Sequence, residues 1–151
     1  MMRQVVVVLP DIRSTYNVGS FFRTADAAGV KKIVLSGITA QPPHPHLIKV
    51  SLGAEKSVPW EHVADTSTAL RQLRDQGYQI VIVEGADNSQ DFRQASYADK
   101  VALVFGSETA GVSSEFIQQA DAVVSIPMLG HKESLNVSVA GGIIMYQVLH
   151  P

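Results

Sequence analysis

The sequence predicts an α/β fold: a mostly parallel sheet covered by helices on both faces. Two observations carry that expectation. Five short runs, QVVVVL (4–9), KIVLSG (32–37), QIVIVEG (79–85), VALVFG (101–106) and AVVSIP (122–127), have the length and β-branched content of strands buried on both faces. Between most of them lie segments with helical periodicity, and strands alternating with helices pair in parallel.

Taken in order, Asn17 stands where it can cap a helix running through SFFRTADAA to Gly29, with Phe21, Phe22, Ala25 and Ala28 as its apolar stripe. Thr66 or Ser67 starts a second helix, TALRQLRDQ, with Leu70 and Leu73 facing inward and Gly77 as its stop. Ser113 or Ser114 opens SEFIQQA, and the last helix spans roughly Leu135 to His150. Its stripe is Leu135, Val139, Ile143 and Tyr146, and Ala140, Gly141 and Gly142 allow something to approach closely. Residues 38–59 form the one long irregular region, where Pro42, Pro43 and Pro45 argue against a regular element and HLIKVSLG alone suits a short helix.

The 151 residues, 46% of them hydrophobic, are enough to close one core without staples, so a single domain over 1–151 is expected. The chain has no cysteine, which excludes a disulfide framework, a cysteine zinc site and a thiol nucleophile. The apolar run before Pro10 is too short for a leader or a membrane span, so a cytoplasmic protein without a membrane partner is expected.

Net charge is −2, but it is unevenly spread. Residues 1–60 hold seven basic side chains against three acidic ones, while 61–100 and 101–151 are both acidic. If a polyanion binds, Arg3, Arg13, Arg23, Lys31, Lys32, Lys49 and Lys56 are where its contacts concentrate.

In open α/β sheets ligands sit at the carboxyl ends of the strands, which puts PDIRSTYNVGS, GITAQPP, EGADNS, FGSETAG and IPMLGHKES in view. No G-x-G-x-x-G, no G-x-x-x-x-G-K-[ST] and no G-x-S-x-G is present, so dinucleotide, triphosphate and α/β-hydrolase chemistries lose their usual supports. His44 and His46 flank a proline with no acidic partner nearby and read as loop residues rather than metal ligands. His131 lies in a candidate site loop with its role open.

Three segments together carry a resemblance. N-V-G-S-F-F-R (17–23) fits the pattern N-x-G-x-x-x-R, VFGSETAGVS (104–113) fits a second motif, and IPMLGHKESLNVSVA (126–140) fits a third. In that order the chain resembles the SpoU (TrmH) family of SPOUT RNA methyltransferases over nearly its whole length. The resemblance implies a C-terminal deep trefoil knot, an exception to the rule of unknotted connections. It implies transfer of a methyl group from S-adenosylmethionine to a ribose 2′-hydroxyl of tRNA or rRNA, without a metal, by a homodimer. No separate RNA-binding domain is expected, which leaves RNA contact to Arg13, Arg23, Lys49 and Lys56.

Carried over position by position, the resemblance places the cofactor against Gly106, Ile126, Met128 and Leu135, with Val83, Glu84 and Gly85 alongside. Glycine at 106 would let backbone approach adenosine. It assigns catalysis to Asn17, Arg23, Glu108, Ser134 and Asn136. A guanidinium is a poor base, so Arg23 is expected to grip phosphate and steady the developing alkoxide while a phosphate oxygen or Glu108 relays the proton. A base-nitrogen methylase and a non-catalytic RNA-binding paralogue are the alternatives, the first disfavoured by the motifs and the second by the presence of all five residues.

Overall fold

A computed structural model describes residues 2–85, 88–107 and 109–151. At its centre β1 (Gln4–Pro10) pairs with β2 (Lys32–Ser36) on one side and β6 (Lys100–Phe105) on the other. β3 (Trp60–Val63) extends the first side, and β4 (Gln79–Val83), β7 (Ala122–Ser125) and β5 (Gln90–Asp91) extend the second. The order is β3-β2-β1-β6-β4-β7-β5, and every pairing is parallel.

Alternation along β1 divides the core. Val5, Val7 and Leu9 point to one face, where they meet α1 (Thr15–Ala28), α2 (Pro45–Ser51), α3 (Ala54–Ser57) and α6 (Val137–Leu149). Val6 and Val8 point to the other, against α4 (Thr66–Asp75) and α5 (Ser114–Gln118). Both faces of the central strands are dry, so these runs are continuously apolar.

β7 occupies a position that sequence order alone would not give it. It lies between β4 and β5, so a later segment fills the gap between two earlier strands. Glu84 N–H donates to Val124 O at 2.9 Å from one flank, and Phe92 N–H donates to Ser125 O at 3.0 Å from the other. The chain then returns across the sheet's end to α6, which packs on α1 and β1. That arrangement is consistent with the knot.

Several expectations are corrected. Asn17 does not cap α1; Ser14 does, its Oγ accepting from Asn17 N–H at 3.1 Å, which frees the Asn17 side chain for another use. Asp65, rather than Thr66 or Ser67, caps α4, whereas Ser113 caps α5 as expected. The last helix begins at Val137, two residues later than expected, because Asn136 is its cap. Pro45 does not exclude a helix: it sits in the first turn of α2, where a missing N–H costs nothing. β3, β5 and α3 are additional, each of four residues or fewer.

Candidate functional site

A cleft of about 660 Å³ opens where β4, β6 and β7 end. Val83, Glu84 and Gly85 form one wall, Phe105, Gly106, Ser107 and Gly111 a second, and Ser125, Ile126 and Met128 a third, with residues 133–137 and Ala140 completing it. All seven residues expected to hold the cofactor therefore line one cavity. Ser134 and Asn136 line it as well.

The second wall is a closed loop. Ser107 and Gly111 bridge each other through both backbone bonds, and Ser107 Oγ accepts from Ala110 N–H at 3.0 Å. Glu84 ties this loop to β4: its Oε2 accepts from Val112 N–H at 2.7 Å, and a Cβ on Gly111 would stand 2.6 Å from that oxygen. Gly106 is required by the loop's own packing, since a Cβ there would lie 2.4 Å from the Gly111 carbonyl carbon. Gly85 instead faces open space.

The third wall leads into α6. Asn136 Oδ1 accepts from the N–H groups of Ser138 (2.9 Å) and Val139 (3.3 Å), the capping geometry, and from Ser138 Oγ at 2.6 Å. Asn136 Nδ2 donates to Asn17 Oδ1 at 3.2 Å. This bond brings the first and third motifs together, and Asn17 is 4% exposed.

The first motif distributes its three fixed positions in three directions. Asn17 turns to Asn136. Gly19 is buried under α2, where a Cβ would stand 2.7 Å from Leu47 O and 2.9 Å from Val50 Cβ. Arg23 is exposed on α1 and does not line the cleft. Arg13, Lys49 and Lys56 are also exposed, and none of the four forms an ion pair among the described residues. Glu108 lies outside the described residues. His131 is exposed in the loop after Met128.

Sequence reasoning missed Phe105, Ser107, Gly111, Ser125, Glu133, Val137 and Ala140 as lining residues, although all but Ser125 lie inside the quoted motifs. The expected stripe of the last helix, Leu135, Val139, Ile143 and Tyr146, is 39–51% exposed, while Gly141 on the opposite side packs on Phe21. Among the described residues no group of three or more His, Cys, Asp or Glu could hold a metal ion, and no helix is long and apolar enough to cross a membrane.

An all-parallel α/β sheet whose loops after β4, β6 and β7, the last two carrying the second and third motifs, enclose one carboxyl-end cleft defines a SPOUT-type domain. The model of the SpoU rRNA Methylase family matches residues 4–146, and the chain belongs to that family. A Staphylococcus saprophyticus protein assigned to the TrmH family of tRNA/rRNA methyltransferases is 36% identical over 143 residues, 95% of this chain and 57% of that protein. An AdoMet-bound rRNA methyltransferase from Sinorhizobium meliloti superposes with a TM-score of 0.91 at 32% identity, over 98% of this chain and 56% of that one. An RNA 2′-O ribose methyltransferase gives 0.88 at 26% identity, over 99% and 57%. The chain thus spans little more than half the length of these relatives.

Proposed function

We propose that this chain transfers a methyl group from S-adenosylmethionine to a ribose 2′-hydroxyl of tRNA or rRNA, as a cytoplasmic homodimer. The observation that carries the reading is that the second and third motifs line one cleft and the first is joined to it through the Asn136–Asn17 hydrogen bond. The relatives solved with AdoMet and named for ribose 2′-O methylation support the same donor and acceptor.

The cleft suits the donor chemically. Val83, Phe105, Ile126, Met128 and Leu135 give an apolar surface for an adenine ring, and 660 Å³ lies within the range of small-ligand sites. Among the described residues its charged lining side chains are Glu84 and Glu133, with no Lys or Arg, which favours a cationic ligand over a polyphosphate. When bound, S-adenosylmethionine supplies an electrophilic methyl carbon on a neutral leaving group, so no metal is required.

The chain's own task is to hold an oxygen in line with that carbon. Asn17 and Asn136 fix the floor on which the ribose is presented, and Ser134 borders it. Arg23 grips the adjoining phosphate and stabilises the alkoxide as the 2′-oxygen loses its proton, with a phosphate oxygen or Glu108 accepting it. The family resemblance implies that the first and last helices form the dimer interface and that Arg23 reaches the cleft of a second copy; its absence from its own chain's cleft and the exposed Val139, Ile143 and Tyr146 face of α6 support that assignment. Arg13, Lys49 and Lys56 contact phosphates farther along the RNA, which makes binding steeply salt-dependent.

The test is to incubate the protein with labelled S-adenosylmethionine and total tRNA and rRNA, then digest the product with alkali. Label retained in alkali-resistant dinucleotides is the expected result. Label in mononucleotides would transfer the reading to a base-nitrogen methylase, and cofactor binding without transfer would make the chain a non-catalytic paralogue.

A further inference from the structure

We propose that Ser138 is a positioning residue whose hydroxyl sets the amide of Asn136 and, through it, the amide of Asn17. This deepens the function proposed above and rests on it for the roles of the two asparagines. Ser138 is the second residue of α6. A serine farther along a helix commonly returns its hydroxyl to a carbonyl three or four residues back. Here the hydroxyl donates to Asn136 Oδ1 at 2.6 Å, the shortest of three bonds to that atom.

The direction of the chain is fixed by chemistry. Two of the three donors are backbone N–H groups, which can only donate, so the atom they meet must be the amide oxygen. Nδ2 of Asn136 is thereby turned to Asn17, where it must find an oxygen, and it meets Oδ1 at 3.2 Å. The Asn17 amide is oriented in turn, with its NH₂ at the donor end. Ser138 O–H, Asn136 and Asn17 thus form one polarised series in which each bond strengthens the next. The cap itself uses only the two N–H groups, so the hydroxyl is superfluous for helix initiation. What it adds is saturation of the Asn136 oxygen, which keeps that oxygen from rotating toward the cleft.

The experiment uses the full chain labelled with ¹⁵N, comparing Ser138→Ala and Ser138→Thr by the side-chain amide resonances of Asn136 and Asn17 and by methyl-transfer kinetics. The alanine variant is expected to shift both amides and to lower kcat about three- to tenfold, the worth of one hydrogen bond, with KM for RNA and affinity for S-adenosylmethionine unchanged. Threonine restores the resonances and the rate. An Asn17 amide that stays in place while Asn136 moves, or a lower Tm with unchanged kcat, overturns the proposal and leaves the hydroxyl a local structural contact only. Should the alanine variant not fold, Asn136→Asp decides instead: it keeps the capping oxygen but removes the donor, and an unmoved Asn17 amide again overturns the coupling. If the parent methylates no RNA, the proposed function fails separately, and the resonances still decide whether the series exists.

Discussion

Gly141 lies so close under the Phe21 ring that a Cβ placed on it would stand 2.3 Å from Phe21 Cε1. The ring cannot retreat, because it is fully buried and packs on Phe105 with centroids 5.1 Å apart. The adjacent Gly142 has room, with its nearest atom, Thr24 Cγ2, 3.5 Å from a Cβ. Gly141→Ala is therefore expected to destabilise the fold by about 1–3 kcal/mol of overpacking, less about 1 kcal/mol of helix propensity regained. Gly142→Ala is expected to stabilise by up to about 1 kcal/mol. Thermal unfolding of the two variants should move Tm in opposite directions, and a shared sign would refute the packing argument.

Glu55 is buried at the start of α3, where Ser51 Oγ donates to its Oε1 at 2.5 Å and Gly53 N–H donates to the same oxygen at 3.0 Å. The Ser51 hydroxyl is the main cause that holds its carboxyl below the ordinary value of 4.5, against the opposing effect of burial. A carboxylate with a lowered pKa stabilises the fold above the unfolded value, and that contribution disappears as pH falls through the folded one. Glu55→Gln should therefore lower stability at neutral pH, with the difference shrinking below about pH 4.5. Denaturant titrations at pH 7 and near pH 3 check it; a pH-independent difference would mean that charge plays no part.

Glu84 holds the loop after β6 through Val112 N–H. Hydrogen bonds to charged groups are worth about 1.5–3 kcal/mol, so Glu84→Ala should speed hydrogen exchange at Val112 by roughly ten- to a hundredfold. Exchange in β1 should stay as in the parent, since the Glu84 hydrogen bonds among the described residues go to Val112 and Val124. Uniform acceleration across the sheet would place Glu84 in global stability rather than in the loop.

The sequence was most legible where burial is simple. The five long apolar runs are strands because both faces of the sheet are covered, and Phe21, Phe22, Ala25 and Ala28 mark the buried side of α1 because one helix face meets one core. β3 and β5 escaped because edge strands of two to four residues lack a continuous apolar run. Asn17 misled because an asparagine before a helix-like segment is a good cap on local grounds, while Ser14 three residues earlier takes that part and Asn17 serves a contact 119 positions away. The α6 stripe was read at its right positions, but helical spacing reveals an apolar face without saying whether the same chain covers it. Glycine supplied the missing sign, since the close packing falls on Gly141 and leaves Val139, Ile143 and Tyr146 exposed.

That exposed face makes a specific prediction about where each active site is assembled. Val139, Ile143 and Tyr146 follow one another at helical spacing and are 51%, 39% and 44% exposed, so Ile143→Lys should fold normally yet sediment at 16.3 kDa rather than at twice that mass. The sharper measurement mixes two inactive variants, Arg23→Ala and Asn136→Ala, after unfolding and refolding together. If Arg23 serves the partner's cleft, a hybrid dimer has one site carrying both defects and one intact, and random pairing restores about a quarter of the parent rate. If Arg23 serves its own cleft, each site in the hybrid carries one defect and the mixture stays inactive. Recovery near a quarter, lost again when Ile143→Lys is added to both chains, would show that transfer needs two copies; a mixture as inactive as its parts would restrict Arg23 to its own chain.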